Sequence, residues 1–103
     1  MTGRHLYVFQ ARTTGAIKVG KSNNPERRLR QVQTGCPYTL KIILRMEDGG
    51  VLESLVHARL QRHRTRHVHG GEWFDESGLG EIPDEVWVHA QQWYLDDPDW
   101  WKK

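Results

Sequence analysis

The stretch LYVFQARTTGAIKVG, residues 6–20, decides the fold of this 103-residue chain. Residues 6–9 and 16–20 are short runs rich in β-branched and aromatic side chains, and the polar segment between them ends in Gly15. This pattern predicts an antiparallel hairpin, because glycine supplies the positive φ that the turn needs. The pattern leaves the strand register open, and with it the question of whether Tyr7 and Lys18 share a face.

Further elements follow the hairpin in an alternating order. Asn24 and Pro25 are typical of a helix start, so we expect a helix over residues 25–33 that ends at Gly35 and turns Leu29 and Val32 inward. Residues 40–45 read as a third strand. A second helix is predicted from about 51 to 63, with a buried apolar stripe of Leu52, Leu55, Val56 and Leu60. A short extended segment at 72–74 and a last helix over 84–95 complete the order. We therefore predict a single domain, 1–103, of the α/β (α+β) class: a three-stranded antiparallel sheet flanked by helices, in the order β-β-α-β-α-α.

The charge is distributed unevenly along the chain. Residues 1–71 carry 13 Lys and Arg against 4 Asp and Glu, whereas residues 72–103 carry 2 against 9. The basic part favours a polyanionic partner such as nucleic acid. Mean hydropathy is −0.75, and no apolar run approaches the roughly 20 residues of a membrane span. The lack of an export signal and the lone Cys36 predict a cytoplasmic protein that does not enter membranes.

Several side chains with useful chemistry are expected to lie near the hairpin. On the first helix, Arg28 lies beside the apolar face, while Arg27 and Arg30 point further away. On the second helix, Glu53 and His57 are four residues apart and lie on one side. One carboxylate with open water positions is a normal way to hold Mg²⁺ beside a phosphate. Such a set could hydrolyse a phosphodiester.

The order of these motifs resembles the GIY-YIG nuclease superfamily. Leu-Tyr-Val at 6–8 is followed by KVGKSNNPERRL at 18–29, which is similar to the nuclease domain of the bacterial excision-repair incision protein. LESLVH at 52–57 and GEWF at 71–74 resemble a phage-type subgroup that has a Glu-x-x-x-His helix. The resemblance covers about residues 6–75.

The resemblance implies a role for each of five catalytic candidates. Tyr7 would orient or deprotonate the attacking water, and Arg28 would hold the scissile phosphate. Lys18 stands where the name motif has tyrosine, so the identity of the base, Tyr7 or Lys18, stays open. Glu53 would bind one Mg²⁺ or Mn²⁺, with His57 beside it. The candidate DNA-binding residues are basic side chains around this site: Lys21, Arg27, Arg30, Arg64 and Arg66.

We therefore expect a metal-dependent DNA endonuclease of GIY-YIG type. An alternative is a catalytically weak or inactive nucleic-acid-binding module on the same fold. A third reading is an interaction module, because residues 76–103 form an acidic, Trp-rich helix and tail that could mediate a homodimer or meet a protein partner. For the end of the chain, we expect residues 82–103 to dock on the sheet or the second helix; the competing expectation is that they occupy the cleft as an autoinhibitor.

Overall fold

The computed structural model describes residues 4–65 and 72–103, and a six-stranded antiparallel sheet runs through them. Three longer strands, β1 (His5–Ala11), β2 (Ile17–Ser22) and β3 (Leu40–Met46), form its centre. Three strands of two residues widen it: β4 (Arg64–Thr65), β5 (Trp73–Phe74) and β6 (Gln91–Gln92), in the spatial order β4-β5-β2-β1-β3-β6. The predicted three-stranded sheet is therefore wrong. Two-residue strands are too short to show the alternating pattern on which sequence-based strand assignment depends.

The predicted hairpin forms and its register is now defined. Tyr7 pairs with Gly20, and Phe9 pairs with Lys18. Directly opposed residues share a face, as do residues two apart on one strand, so Tyr7 and Lys18 lie on the same face. Gly15 has a φ of 74°, as the turn prediction required.

The first helix, α1 (Pro25–Thr34), covers one face of the sheet. The Asn24 side chain caps it by accepting a hydrogen bond from the backbone N–H of Arg27. Leu29 and Val32, the two residues predicted to face inward, are half-buried against an apolar cluster: Ala11, Ala16, Leu40 and Trp73.

The second helix, α2 (Glu53–Leu60), packs on the opposite face, against a larger cluster that includes Leu6, Val8, Ile17 and Val19. Its predicted span of 51–63 is divided, because 3-10 turns precede and follow it at Gly49–Leu52 and Gln61–His63. The predicted burial of Leu55 is wrong, since this side chain is 41% exposed. Shortening the helix restricts its buried positions to Val56 and Leu60.

The last predicted helix is also shorter than expected. After a 3-10 segment at Glu76–Glu81, α3 (Asp84–His89) ends at Ala90, whose backbone is extended. The chain then pairs with β3 through β6, and the Trp93 N–H donates to the Ile43 carbonyl at 2.9 Å. Pairing with the free edge of β3 thus replaces the helical continuation to residue 95. Within the described residues, no helix is long and apolar enough to cross a membrane; a cytoplasmic location stays a prediction.

The end of the chain folds back on the hairpin turn. The Trp100 indole N–H donates to the side-chain oxygen of buried Gln10 at 2.6 Å. The Thr13 N–H donates to the Trp101 carbonyl at 2.7 Å, and the Trp101 ring lies against Gly15. Trp100 and Trp101 therefore dock at the turn of the β1–β2 hairpin. Earlier in the same segment, Ile82 and Val86 are buried in the cluster that the sheet forms with α2, so the expected docking on the sheet and the second helix is confirmed.

Candidate active site

Tyr7 projects across β2 because the position opposite it is a glycine. A Cβ atom built on Gly20 would lie 2.2 Å from the Tyr7 hydroxyl oxygen. The Tyr7 ring is 3% exposed and stacks on Phe9 with a centroid distance of 4.0 Å. The missing side chain at Gly20 thus lets a buried tyrosine carry its hydroxyl over the backbone of the neighbouring strand.

Arg28 and Lys18 approach this hydroxyl from α1 and β2. The Arg28 guanidinium is close enough to the phenol to lower the pKa of Tyr7, and its charge also lowers the pKa of Lys18. The Lys18 ammonium lies 5.6 Å from the centroid of the Trp73 ring. Three groups predicted from separate elements therefore meet in one place.

The local environment raises the pKa of one candidate base, Tyr7, and lowers the pKa of the other, Lys18. Burial raises the pKa of Tyr7, and the charge of Glu53 raises it further, while the hydrogen bond and charge of Arg28 oppose the rise. Burial lowers the pKa of Lys18, and Arg28 lowers it further against the opposing effect of Glu72. The phenol therefore keeps its proton more firmly than a free tyrosine, and the ammonium gives up its proton more easily than a free lysine.

Glu53 and His57 extend from α2 to the same region. Their side chains lie side by side, with the Glu53 Oε2 and His57 Nε2 atoms 3.9 Å apart. The Glu53 charge acts on the Tyr7 phenol, so the carboxylate faces the site. This agrees with the i,i+4 spacing, which places both residues on one side of the helix.

Both ring nitrogens of His57 are engaged by acceptors. The Nε2 atom lies 2.7 Å from the Val19 carbonyl oxygen, and the Nδ1 atom lies 3.0 Å from Glu72 Oε2. The ring also packs edge-on against Phe74 at 5.5 Å. His57 thus ties α2 to the backbone of β2 and to the segment before β5.

Glu72 is a site residue to which the sequence reasoning assigned no role. A hydrogen bond with His57 lowers the pKa of Glu72, and the charges of Arg64 and His57 contribute to the same direction. The Arg64 Nη1 atom lies 3.7 Å from Glu72 Oε1. The only signal in the sequence is the position of Glu72 beside Trp73 and Phe74, within the GEWF motif that resembles the phage-type subgroup.

A family model, the T5orf172 domain, matches residues 4–94. The chain belongs to the T5orf172 domain family. This phage-associated family is related to nuclease-like domains, and its match extends past residue 75 to include α3 and β6. No curated protein and no solved structure gives a significant match.

The predicted nucleic-acid contacts of this T5orf172 domain have different surroundings. Lys21 and Arg27 line a cavity together with Arg28. Arg30 is exposed on α1 and does not belong to that lining. Arg64 forms an ion pair with Glu72, and Arg66 lies outside the described residues. The structure therefore gathers two of the five predicted contacts around Arg28.

The carboxylate of Glu53 suits a divalent cation that takes one protein ligand and keeps most of its water ligands. In the described part of the chain, 4–65 and 72–103, no group of three or more His, Cys, Asp and Glu side chains could enclose a metal ion. Mg²⁺ usually keeps several waters and is held by one or two carboxylates together with substrate phosphates. Glu53, which is 25% exposed beside Tyr7 and Arg28, fits that mode of binding. A closed metal cage is not needed for it.

Proposed function

We propose that this T5orf172 domain is a metal-dependent DNA endonuclease of the GIY-YIG type, which hydrolyses a phosphodiester bond. The observation that carries the proposal is the convergence of Tyr7, Lys18, Arg28 and Glu53, which come from four elements. Arg28 acts electrostatically on both Tyr7 and Lys18, and Glu53 acts on Tyr7. A cation for phosphate, a carboxylate for metal and a candidate base are thus present together. The relation of the family to nuclease-like domains supports the same class.

The proposed division of labour follows from charge and protonation. Arg28 binds the scissile phosphate, and Glu53 would hold Mg²⁺ or Mn²⁺, which when bound would neutralise charge on the phosphate. Water attacks phosphorus and its proton passes to the Lys18 amine. The P–O bond to the leaving group breaks with its electron pair going to the leaving oxygen, which takes a proton from solvent water. The pKa shifts support Lys18 as base, because its amine is freed more easily while Tyr7 stays protonated. Tyr7 then orients the water through its hydroxyl.

His57 is proposed as a positioning residue. Its two nitrogens are engaged with Val19 and Glu72, so neither is available for the water or the leaving group. By joining α2 to β2, the ring sets the distance between Glu53 and Tyr7. Its loss would therefore act on the reaction through Glu53.

A nucleic-acid-binding module that does not cleave is the second candidate. The observation that favours it is the lysine at position 18, where the nuclease name motif has tyrosine. Both candidates use the same basic surface and differ in turnover alone.

The deciding experiment is incubation of the protein with plasmid DNA and Mg²⁺ or Mn²⁺. Wild type should nick or linearise the plasmid, and Glu53→Gln should reduce the rate by at least about 10²-fold while DNA binding is kept. Glu85→Gln, on the exposed surface of α3, removes one carboxylate elsewhere and should cut like wild type. Full activity of Glu53→Gln would refute the metal assignment. Binding without cleavage by wild type would favour the second candidate, and absence of both would refute the nucleic-acid function.

A further inference from the structure

We propose that a cavity beside the active site binds a second phosphate of the same nucleic-acid strand, next to the phosphate that is cleaved. The inference rests on the proposed function and adds a subsite to it. The cavity, called the basic cavity below, is lined by four cations and four neutral polar residues: Arg4, Lys21, Arg27, Arg28, Ser22, Asn23, Asn24 and Gln31.

The charge of the basic cavity is not balanced by the protein. No acidic residue lines it, and among the described residues no carboxylate lies within ion-pair distance of its four cations. Five of the ten other described Lys and Arg side chains do have such a partner: Arg45 with Glu26, Arg62 with Glu81, Arg64 with Glu72, Lys102 with Asp99, and Lys103 with Asp97. Four like charges around one hollow repel one another, and an anion bound there would relieve that repulsion.

The backbone that carries these cations is held in place. The Gly50 N–H donates to the Arg4 carbonyl at 2.7 Å, and a Cβ on Gly50 would lie 2.7 Å from the same oxygen. At the other wall, the Asn24 N–H donates to the Ser22 hydroxyl at 3.0 Å, and the Asn24 side chain accepts from the Arg27 N–H at 3.1 Å. A fixed backbone limits the positions that the four exposed cationic side chains can reach, and so reduces the entropy lost when an anion binds.

Arg28 connects the basic cavity to the active site. Its charge lowers the pKa of Tyr7 and its side chain also lines the cavity, whereas Tyr7, Lys18 and Glu53 are not part of the lining. The cavity is thus adjacent to the place of hydrolysis but separate from it. A strand whose scissile phosphate lies at Tyr7 has its next phosphate close by, and the other three cations can neutralise it.

Salt-dependent binding tests the subsite directly. A fluorescein-labelled duplex oligonucleotide without metal would be titrated with wild type, with Arg4→Ala/Arg27→Ala, and with the matched control Arg59→Ala/Arg62→Ala on the exposed surface of α2 and the turn after it. Loss of one phosphate contact should reduce the slope of log K against log salt by about 0.9. We expect that change, with about tenfold weaker binding, only for Arg4→Ala/Arg27→Ala. Arg4→Lys/Arg27→Lys should restore the slope, because the charge returns.

A second comparison separates an internal phosphate from a terminal one. Duplexes with a 5′-hydroxyl and with a 5′-phosphate should bind equally, and inorganic phosphate should compete no better than chloride at equal ionic strength. A requirement for the terminal phosphate, or saturable competition by inorganic phosphate, would overturn the internal subsite. An unchanged slope in Arg4→Ala/Arg27→Ala would also overturn it, while leaving the nuclease proposal intact. If wild type binds no oligonucleotide, the proposed function itself fails.

Discussion

Replacement of Gly20 by alanine tests the geometry on which the active site depends. The new Cβ would lie 2.2 Å from the Tyr7 hydroxyl oxygen and 2.4 Å from the ring carbon that bears it. The ring cannot swing away cheaply, because it is buried and stacked on Phe9. Overpacking of a core position typically costs about 1–3 kcal/mol, and we expect Gly20→Ala to reduce the free energy of unfolding by that amount.

The measurement is urea denaturation followed by tryptophan fluorescence, with Gly35→Ala as the control. A Cβ on Gly35 meets no atom within 4 Å, and the residue has a φ of −97°. That variant should be neutral or stabilised by up to about 1 kcal/mol, through a less flexible unfolded chain. In a domain of this size each kcal/mol corresponds to about 4–8 °C in Tm, so the two variants separate clearly.

A double-mutant cycle identifies the clash itself. Removing the ring with Tyr7→Ala should make the added methyl at position 20 cheaper by at least about 1 kcal/mol than it is in wild type, because residues in contact are not additive. If Gly20→Ala costs the same in both backgrounds, the ring does not lie over Gly20. The convergence of the catalytic candidates would then be refuted, whatever the activity of either variant.

Three further perturbations test other parts of the structure. Lys18→Met should abolish cleavage and Tyr7→Phe should leave measurable cleavage, because the lowered pKa of Lys18 suits a base. The cleavage rate of wild type should rise with pH below the ordinary lysine pKa of 10.5. The reverse order of the two variants would assign the base to tyrosine. Glu72→Gln should lower the free energy of unfolding above pH 4.5, and the gap between variant and wild type should shrink as acid protonates the wild-type carboxylate, whose pKa is lowered. Urea unfolding at several pH values measures this gap. A gap that does not change with pH would show that the carboxylate is unimportant. Trp100→Phe removes the donor to buried Gln10 and should cost about 1–3 kcal/mol in urea unfolding, whereas an unchanged midpoint would argue against docking at the hairpin turn.

The elements with strong local signals were predictable from the sequence. The hairpin follows from two β-prone runs and a glycine turn, and α1 follows from the cap at Asn24 and the proline after it. The i,i+4 relation of Glu53 and His57 also holds, because it depends on helical geometry alone. Each of these depends on residues close together in the chain.

The parts that were missed depend on contacts between distant segments. Residues 84–95 have apolar positions at helical spacing, yet the chain leaves the helix at Ala90 to pair with the edge of β3. Glu72 becomes a site residue because His57, fifteen positions earlier, turns towards it. Arg4 joins the basic cavity through the fold of β1 against the Gly50 turn. Local propensity carries no information about such pairings, and tertiary contacts override it.

The docking of the last residues explains how one small chain can hold a basic site and an acidic segment together. The site lies where β2, α1 and α2 meet, next to β5, whereas Asp96, Asp97 and Asp99 lie in the segment between β6 and the two tryptophans at the β1–β2 turn. Strands β2, β1 and β3 separate β5 from β6, and two of these carboxylates pair with Lys102 and Lys103. Like charges beside a bound strand would reduce its affinity. The lysine pairs and the docking of Trp100 and Trp101 at the β1–β2 turn therefore hold the acidic residues on their own chain, and none of them lines the basic cavity.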